Sequence, residues 1–230
     1  MAVDQPLQRG AKQSSLQIDQ VAQHPTVIIV DDDAAIREAL SDLLQSAGFS
    51  SACFASTAAL FKADVLEGPG CLVLDVRMPG ASGLDLQRRM VQSGDVKPII
   101  FLTGHGDIPM SVQAMKAGAV DFLTKPVRDQ DLLDAITSAI ALDAERRARR
   151  IVIERNIQRL KGLTHREREV LQEVVRGRQN KQIAFDLGIS DVTVKLHRSN
   201  AMRKMEVGSV GKLVRIWEAL PPPTRDIGRE

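Results

Sequence analysis

Five side chains of the 230-residue chain have the types and spacing for phosphoryl chemistry: Asp31, Asp32, Asp75, Thr103 and Lys125. Crowded carboxylates raise one another's pKa unless a cation neutralises them. Mg²⁺ takes oxygen ligands, keeps waters and bridges to phosphoryl oxygens. An ionised aspartate can attack a phosphoryl group and carry it as an acyl phosphate. A lysine and a hydroxyl can then hold the transferred oxygens as hydrogen-bond donors.

These residues stand at or just beyond the ends of predicted strands. Thr26–Val30 leads into Asp31-Asp32-Asp33, Cys71–Leu74 into Asp75 and a Met78-Pro79-Gly80 turn, Pro98–Thr103 ends on Thr103, and Val120–Thr124 is closed by Lys125-Pro126. An unbroken apolar run such as Cys71–Leu74 fits a strand buried on both faces of a parallel sheet. Ser50–Phe54 reads as one more strand. Helices are expected between them. One carries Ile36, Leu40, Leu43, Leu44 and Ala47 on one stripe and ends at Gly48; one is capped by Ser56 and runs to about Val65; others span Gly83 to Ser93 and Ile108 to Ala117. A last helix opens at Arg128 and carries Leu132, Leu133, Ile136 and Ile140. Strand and helix alternate five times, which predicts an α/β doubly wound, five-stranded parallel sheet. Such sheets present chemistry at the C-terminal ends of their strands, where all five residues fall. Asp33 reads as a solvated or helix-capping acid.

The order and spacing of Ile29-Val30-Asp31-Asp32, Leu72-Val73-Leu74-Asp75-Val76-Arg77-Met78-Pro79-Gly80, Phe101-Leu102-Thr103-Gly104-His105-Gly106-Asp107, Pro109–Ala119 and Asp121-Phe122-Leu123-Thr124-Lys125-Pro126 resemble the receiver domain of two-component response regulators. The resemblance implies that Asp75 accepts a phosphoryl group from a sensor histidine kinase. It implies Mg²⁺ held by Asp32, Asp75 and the Arg77 carbonyl, with Asp31 acting mainly through water. It further implies that Lys125 pairs with the acceptor, that Thr103 reaches the phosphoryl oxygen and couples to a switch aromatic, and that the Lys125–Pro126 bond is cis. The chain has no Tyr, so the switch aromatic is Phe122, which has no hydroxyl to donate. Arg77 and His105 stand where the family tunes the lifetime of the phosphoryl group, and slow autodephosphorylation is implied.

Composition limits the rest. No stretch of about 18 apolar residues occurs, so no membrane span is expected. Residues 1–24 lack the apolar core of a signal peptide and read as a disordered arm. The two cysteines, Cys53 and Cys71, lie in apolar runs without a CxxC pair and read as buried structural thiols, which suits the cytoplasm. Residues 143–220 hold 18 Lys and Arg against 10 Asp and Glu, a balance of +8; the last ten residues are neutral, which leaves −6 for residues 1–142 of a total of +2. An acidic half joined to a basic half points to different partners, nucleic acid for the second.

Residues 143–160, from Asp143-Ala144-Glu145-Arg146-Arg147-Ala148-Arg149-Arg150 onward, are rich in helix formers and lack Gly and Pro, and read as a helical linker continuing the last receiver helix. In the second domain, 161–220, Thr164 and Glu167 form a capping box ahead of Val170, Leu171, Val174 and Val175. A short helix over Asn180–Leu187 turns at Gly188 into a basic helix from about Asp191 to Met205, with Val194, Ala201 and Met205 facing inward. A final helix holds Val214, Ile216 and Trp217. Two helices joined by a glycine turn fit a small all-α helix-turn-helix DNA-binding domain. Leu163–Leu171, Gly177–Ala184, Leu187–Arg198 and Met202–Met205 resemble the LuxR-type domain, and the two domains together resemble the FixJ/NarL-type response regulators. The resemblance implies Lys195, Leu196 and Ser199 facing base edges, and Asn180, Lys181, Thr193, Arg198 and Arg203 on phosphate. It also implies promoter DNA and RNA polymerase as partners, and a homodimer formed on phosphorylation through Ile108–Thr124. No histidine has a ligand-spaced partner. Residues 221–230 read as a disordered tail.

Rival readings leave more unexplained. A phosphatase with Asp75 as nucleophile would need a second acid two residues on, where Arg77 stands. A ligand-sensing regulator would need a pocket, and residues 1–142 hold neither Tyr nor Trp. A phosphorylation-independent regulator using its receiver only for contacts is the remaining alternative.

Overall fold

The computed structural model describes residues 24–63, 65–93, 97–104 and 107–225. The chain divides into two units, Met1–Arg146 and Arg147–Glu230. The N-terminal arm, apart from His24, and His105 lie outside the described residues.

The first unit alternates β1 (Thr26–Val30), α1 (Ala34–Ser46), β2 (Ser50–Phe54), α2 (Thr57–Lys62), β3 (Gly70–Leu74), α3 (Gly83–Ser93), β4 (Ile99–Thr103), α4 (Ile108–Lys116), β5 (Asp121–Thr124) and the start of α5 (Asp129–Lys161). All strand pairs are parallel, in the order β2-β1-β3-β4-β5. The pleat sorts the apolar runs onto two faces. Ile28, Val30, Leu72, Leu74, Ile99 and Phe101 meet Leu60 of α2, Leu86 and Met90 of α3, and Ala114 of α4. Val27, Ile29, Cys71, Val73, Ile100 and Leu102 meet Leu40 and Leu44 of α1, and Leu132, Ala135, Ile136 and Ala139 of α5. Burial on both faces is the reason β1, β3 and β4 read as continuous apolar runs.

Side-chain caps set the helix starts. Asp33 caps α1, accepting from the amides of Ala35 and Ile36, and Asp107 caps α4 through the amide of Met110. The expected second helix is shorter than its apolar pattern: Ala63 turns its amide back to the Leu60 carbonyl, and Val65 leaves the helix to rest against the core. Cys71 is buried, but Cys53 is exposed, contrary to expectation. It lies on β2, an edge strand paired to β1 alone, with its thiol 3.8 Å from the Arg37 carbonyl.

In the second unit, α6 (His165–Val175), α7 (Asn180–Leu187), α8 (Asp191–Lys204) and α9 (Val210–Ala219) surround a core of Val170, Leu171, Val174, Ile183, Val194, Ala201, Met205 and Leu213, closed by Leu160 and Leu163. Trp217 packs against it, half-buried. The capping box forms: the Thr164 hydroxyl accepts from the Glu167 amide, and the Glu167 carboxylate accepts from the Thr164 amide. Its buried carboxylate also takes a hydrogen bond from Lys204 at 2.6 Å. The expected tail opens on a helical turn, α10 (Pro222–Arg225); residues 226–230 lie outside the described residues.

Candidate phosphoacceptor site and DNA-reading helix

Strand register brings the acidic residues together. Val30 pairs with Leu74, so Asp31 and Asp75 leave neighbouring strands side by side. The Asp75 amide donates to the Val30 carbonyl at 2.9 Å. The chain order reverses between β1 and β3, and ligands of open α/β sheets bind at such switch points. Ligand oxygens of Asp31, Asp32 and Asp75 all lie within 4.8 Å of one another. Asp31 is buried, Asp75 half-buried and Asp32 exposed. This donor set of hard oxygens, open to solvent at Asp32, fits Mg²⁺.

Lys125 is delivered from the far side. Thr103 pairs with Thr124, and the Lys125 amide donates to the Thr103 carbonyl at 2.9 Å. The Lys125 ammonium donates to Asp31 Oδ2 at 2.5 Å and to Asp75 Oδ2 at 3.1 Å. Burial works against its charge, but the hydrogen bonds and charges of Asp31 and Asp75 outweigh it and hold its pKa above the ordinary lysine value. The Lys125–Pro126 peptide is cis. Thr103 is buried at the end of β4. On the adjoining strand Phe122 is half-buried, its ring tilted against Phe101 at a centroid distance of 5.9 Å.

The loop after Asp75 is held from within. The Arg77 amide donates to Asp75 Oδ1 at 3.1 Å, and the Gly83 amide donates to the Val76 carbonyl at 3.0 Å. Gly83 opens α3 against this loop so closely that a Cβ there would fall 2.4 Å from the Asp75 carbonyl oxygen. Two participants escaped the sequence reading. Arg37 reaches from α1 to the Asp31 carbonyl at 2.7 Å, and Gly83 sets the approach of α3. Arg37 had a signal of sorts, standing six residues after Asp31 on a helix whose apolar stripe was legible.

In the second unit, Gly188 takes a left-handed conformation (φ 64°) between α7 and α8. Ser190 caps α8. Lys195, Leu196, Ser199 and Arg203 are exposed on α8, opposite the buried Val194 and Ala201. Lys195 is tied to Asp191 at 2.7 Å, and Arg203 donates to Asn200 at 3.2 Å. Lys181 is exposed on α7. Thr193 is half-buried, its hydroxyl 2.7 Å from that of Ser190. Arg198 and Asn180 are both half-buried and bond to each other at 2.8 Å, bracing α8 against α7.

Comparison with known proteins matches both units. The family described as response regulator receiver domain matches residues 27–137, and that described as bacterial regulatory proteins, luxR family, matches residues 161–217. The chain is 51% identical over 195 residues to the response regulator protein TodT of Pseudomonas putida, covering 84% of this chain and 86% of that one. It is 44% identical over 190 residues to the transcriptional regulatory protein FixJ of Azorhizobium caulinodans, covering 83% and 90%. Among solved structures, the response regulator StyR matches with a TM-score of 0.73 at 50% identity, over 85% of this chain and 99% of that one. With a doubly wound sheet that gathers its acids at the switch point and a helix-turn-helix built on its own core, the chain belongs to the two-component response regulators, those that join a receiver to a LuxR-type DNA-binding domain and regulate transcription.

Proposed function

We propose that Asp75 takes a phosphoryl group from a sensor histidine kinase in a Mg²⁺-dependent reaction, and that this promotes dimerisation and sequence-specific binding to promoter DNA. The observation that carries the reading is the cluster of three carboxylates with ligand oxygens within 4.8 Å of one another, two of them bridged by one lysine, at the switch point of the sheet. Asp31, Asp32, Asp75 and the Arg77 carbonyl would hold the metal, which supplies positive charge to the phosphoryl oxygens. An Asp75 carboxylate oxygen forms the new bond to phosphorus as the bond to the kinase imidazole breaks, and that imidazole leaves with the electron pair and takes up a proton. Lys125 already bridges Asp31 and Asp75, and turns to the phosphoryl oxygens. Thr103 supplies a hydroxyl to them, and Phe122 responds to its movement. Slow hydrolysis of the acyl phosphate resets the switch.

The dimer surface is Ile108–Thr124. It is supported by Ile108 (79% exposed), Val112 and Met115, which share one face of α4 at i, i+4 and i+7. Without phosphate, the receiver limits DNA binding. With it, two copies place two α8 helices on two half-sites. Lys195, Leu196 and Ser199 face base edges, while Asn180, Lys181, Thr193, Arg198 and Arg203 serve the phosphate backbone. RNA polymerase is the partner at the promoter, and the cytoplasm is the compartment.

The test is sedimentation and binding to a promoter fragment, with and without Mg²⁺ and acetyl phosphate or beryllofluoride. The expected result is Mg²⁺-dependent dimerisation with tighter DNA binding, both lost in Asp75→Asn. Unchanged mass and affinity despite a phosphorylated Asp75 would leave a receiver that serves only for contacts.

A further inference from the structure

The outward side of α8 carries an exposed apolar side chain, Val192, for which the reading above gives no role. Val192, Lys195, Leu196, Ser199 and Arg203 follow one another at i, i+3, i+4, i+7 and i+11, one face of a helix, and all five are exposed. Val192 is 74% and Leu196 59% exposed. Single apolar side chains at a surface need no explanation. Here two branched aliphatic side chains stand one helical turn apart, beside Lys195 and Ser199. Neither can donate or accept a hydrogen bond, so neither can read a base through its polar edge. The apolar group that a base pair offers in the major groove is the 5-methyl of thymine. Four residues of helix advance about 6 Å, close to two base steps of about 3.4 Å.

We propose that Val192 and Leu196 form an apolar step that reads thymine methyl groups one or two base steps apart in each half-site. Val192 thereby becomes a specificity-determining residue alongside Lys195 and Ser199. Lys195 supplies the donor between them, suited to guanine O6 and N7. This inference rests on the reading of α8 as the helix that enters the major groove.

The test uses the full-length protein with Mg²⁺ and beryllofluoride. A bound sequence is selected from a pool of randomised duplexes, and each thymine of the selected duplex is then replaced singly by deoxyuridine, which removes only the methyl group. Affinity should fall about fourfold at one or two positions per half-site. Val192→Ala and Leu196→Ala should each bind the unmodified duplex more weakly, and each should lose the response to the replacement at its own thymine while keeping it at the other. Both variants retain a helix-favouring residue at an exposed site, and far-ultraviolet circular dichroism confirms the fold. A selected sequence insensitive to methyl removal, or sensitivity that persists unchanged in both variants, overturns the inference while leaving the DNA-reading role of α8 intact. Lost transcription with unchanged DNA affinity in the variants assigns the step to a protein partner and also overturns it. If no sequence is selected and Lys195→Ala binds as the parent does, the reading of α8 itself fails, and the inference with it.

Discussion

Lys125 is the residue on which the acidic site is balanced. It is hydrogen-bonded to Asp31, which is buried, and to Asp75. Removing it leaves three carboxylates to repel one another. Lys125→Met should therefore lower receiver stability by roughly 1–3 kcal/mol in metal-free buffer, and the loss should shrink as Mg²⁺ is added, measured by urea unfolding. The cysteines give an independent check on burial. Cys71 is buried, and its thiol is pushed up to about 12 by that burial. Cys53 is exposed, its pKa raised less, by partial burial, with Arg37 and Ser41 pulling it back. At pH 8 an aromatic disulfide reagent should modify one thiol per native chain, Cys53, and reach Cys71 only after unfolding; release of two equivalents from native protein would contradict the placement. Asp31 and Asp75 were legible because each follows an apolar run directly, Lys125 because it closes the fifth strand, and strand ends converge in a parallel sheet. The exposure of Cys53 was not, because an edge strand and a central strand can share the same composition.

Among the elements, α3 and α6 show how a helix start serves a site. The Ser82 amide and hydroxyl both donate to Asp85, and the Asp85 amide donates to the Ser82 hydroxyl, so α3 begins one residue before Leu84. Gly83 is then pressed against the Asp75 carbonyl. In most helices Gly→Ala stabilises by up to about 1 kcal/mol. Here the sign reverses: Gly83→Ala should cost about 1–3 kcal/mol and slow the proposed phosphorylation of Asp75, read by thermal melting and by phosphate incorporation. The start of α6 is a matter of charge. Burial raises the pKa of Glu167, but hydrogen bonds from Lys204 and from Thr164 overcome it and leave the carboxyl below its ordinary value of 4.5. A depressed folded-state pKa adds stability that is complete above the unfolded value and is lost as pH falls through the folded one. Glu167→Gln should therefore cost about 1–2 kcal/mol at neutral pH, a gap that closes as the pH drops below 4.5. The capping box, the Gly188 turn and the extents of α3 and α7 could be read from local chemistry alone. The Lys204 partner of Glu167, 37 residues away, could not, because nothing local in the sequence marks a contact that only the folded core creates.

At the level of the whole molecule, the receiver core is filled by residues up to Ile140 and the DNA-binding core by residues from Ile157 onward. Each unit therefore has the apolar interior needed to unfold as a cooperative body in its own right. The distribution of aromatic residues makes this separable by light. The chain has one Trp and no Tyr, and the single indole, Trp217, rests on the core of the DNA-binding domain. Excitation at the red edge of protein absorption thus illuminates that domain alone and leaves the receiver dark. Urea titrations followed by Trp emission should trace one sigmoid belonging to α6–α9, while the helical dichroism signal, which sums both domains, should show a second transition or a displaced midpoint. Coincident curves would mean that the two bodies unfold as one. The same optical asymmetry gives DNA binding a native reporter and leaves the proposed phosphorylation of Asp75 without one, so any change in Trp emission on adding a phosphodonor would be a signal that has crossed from one domain to the other.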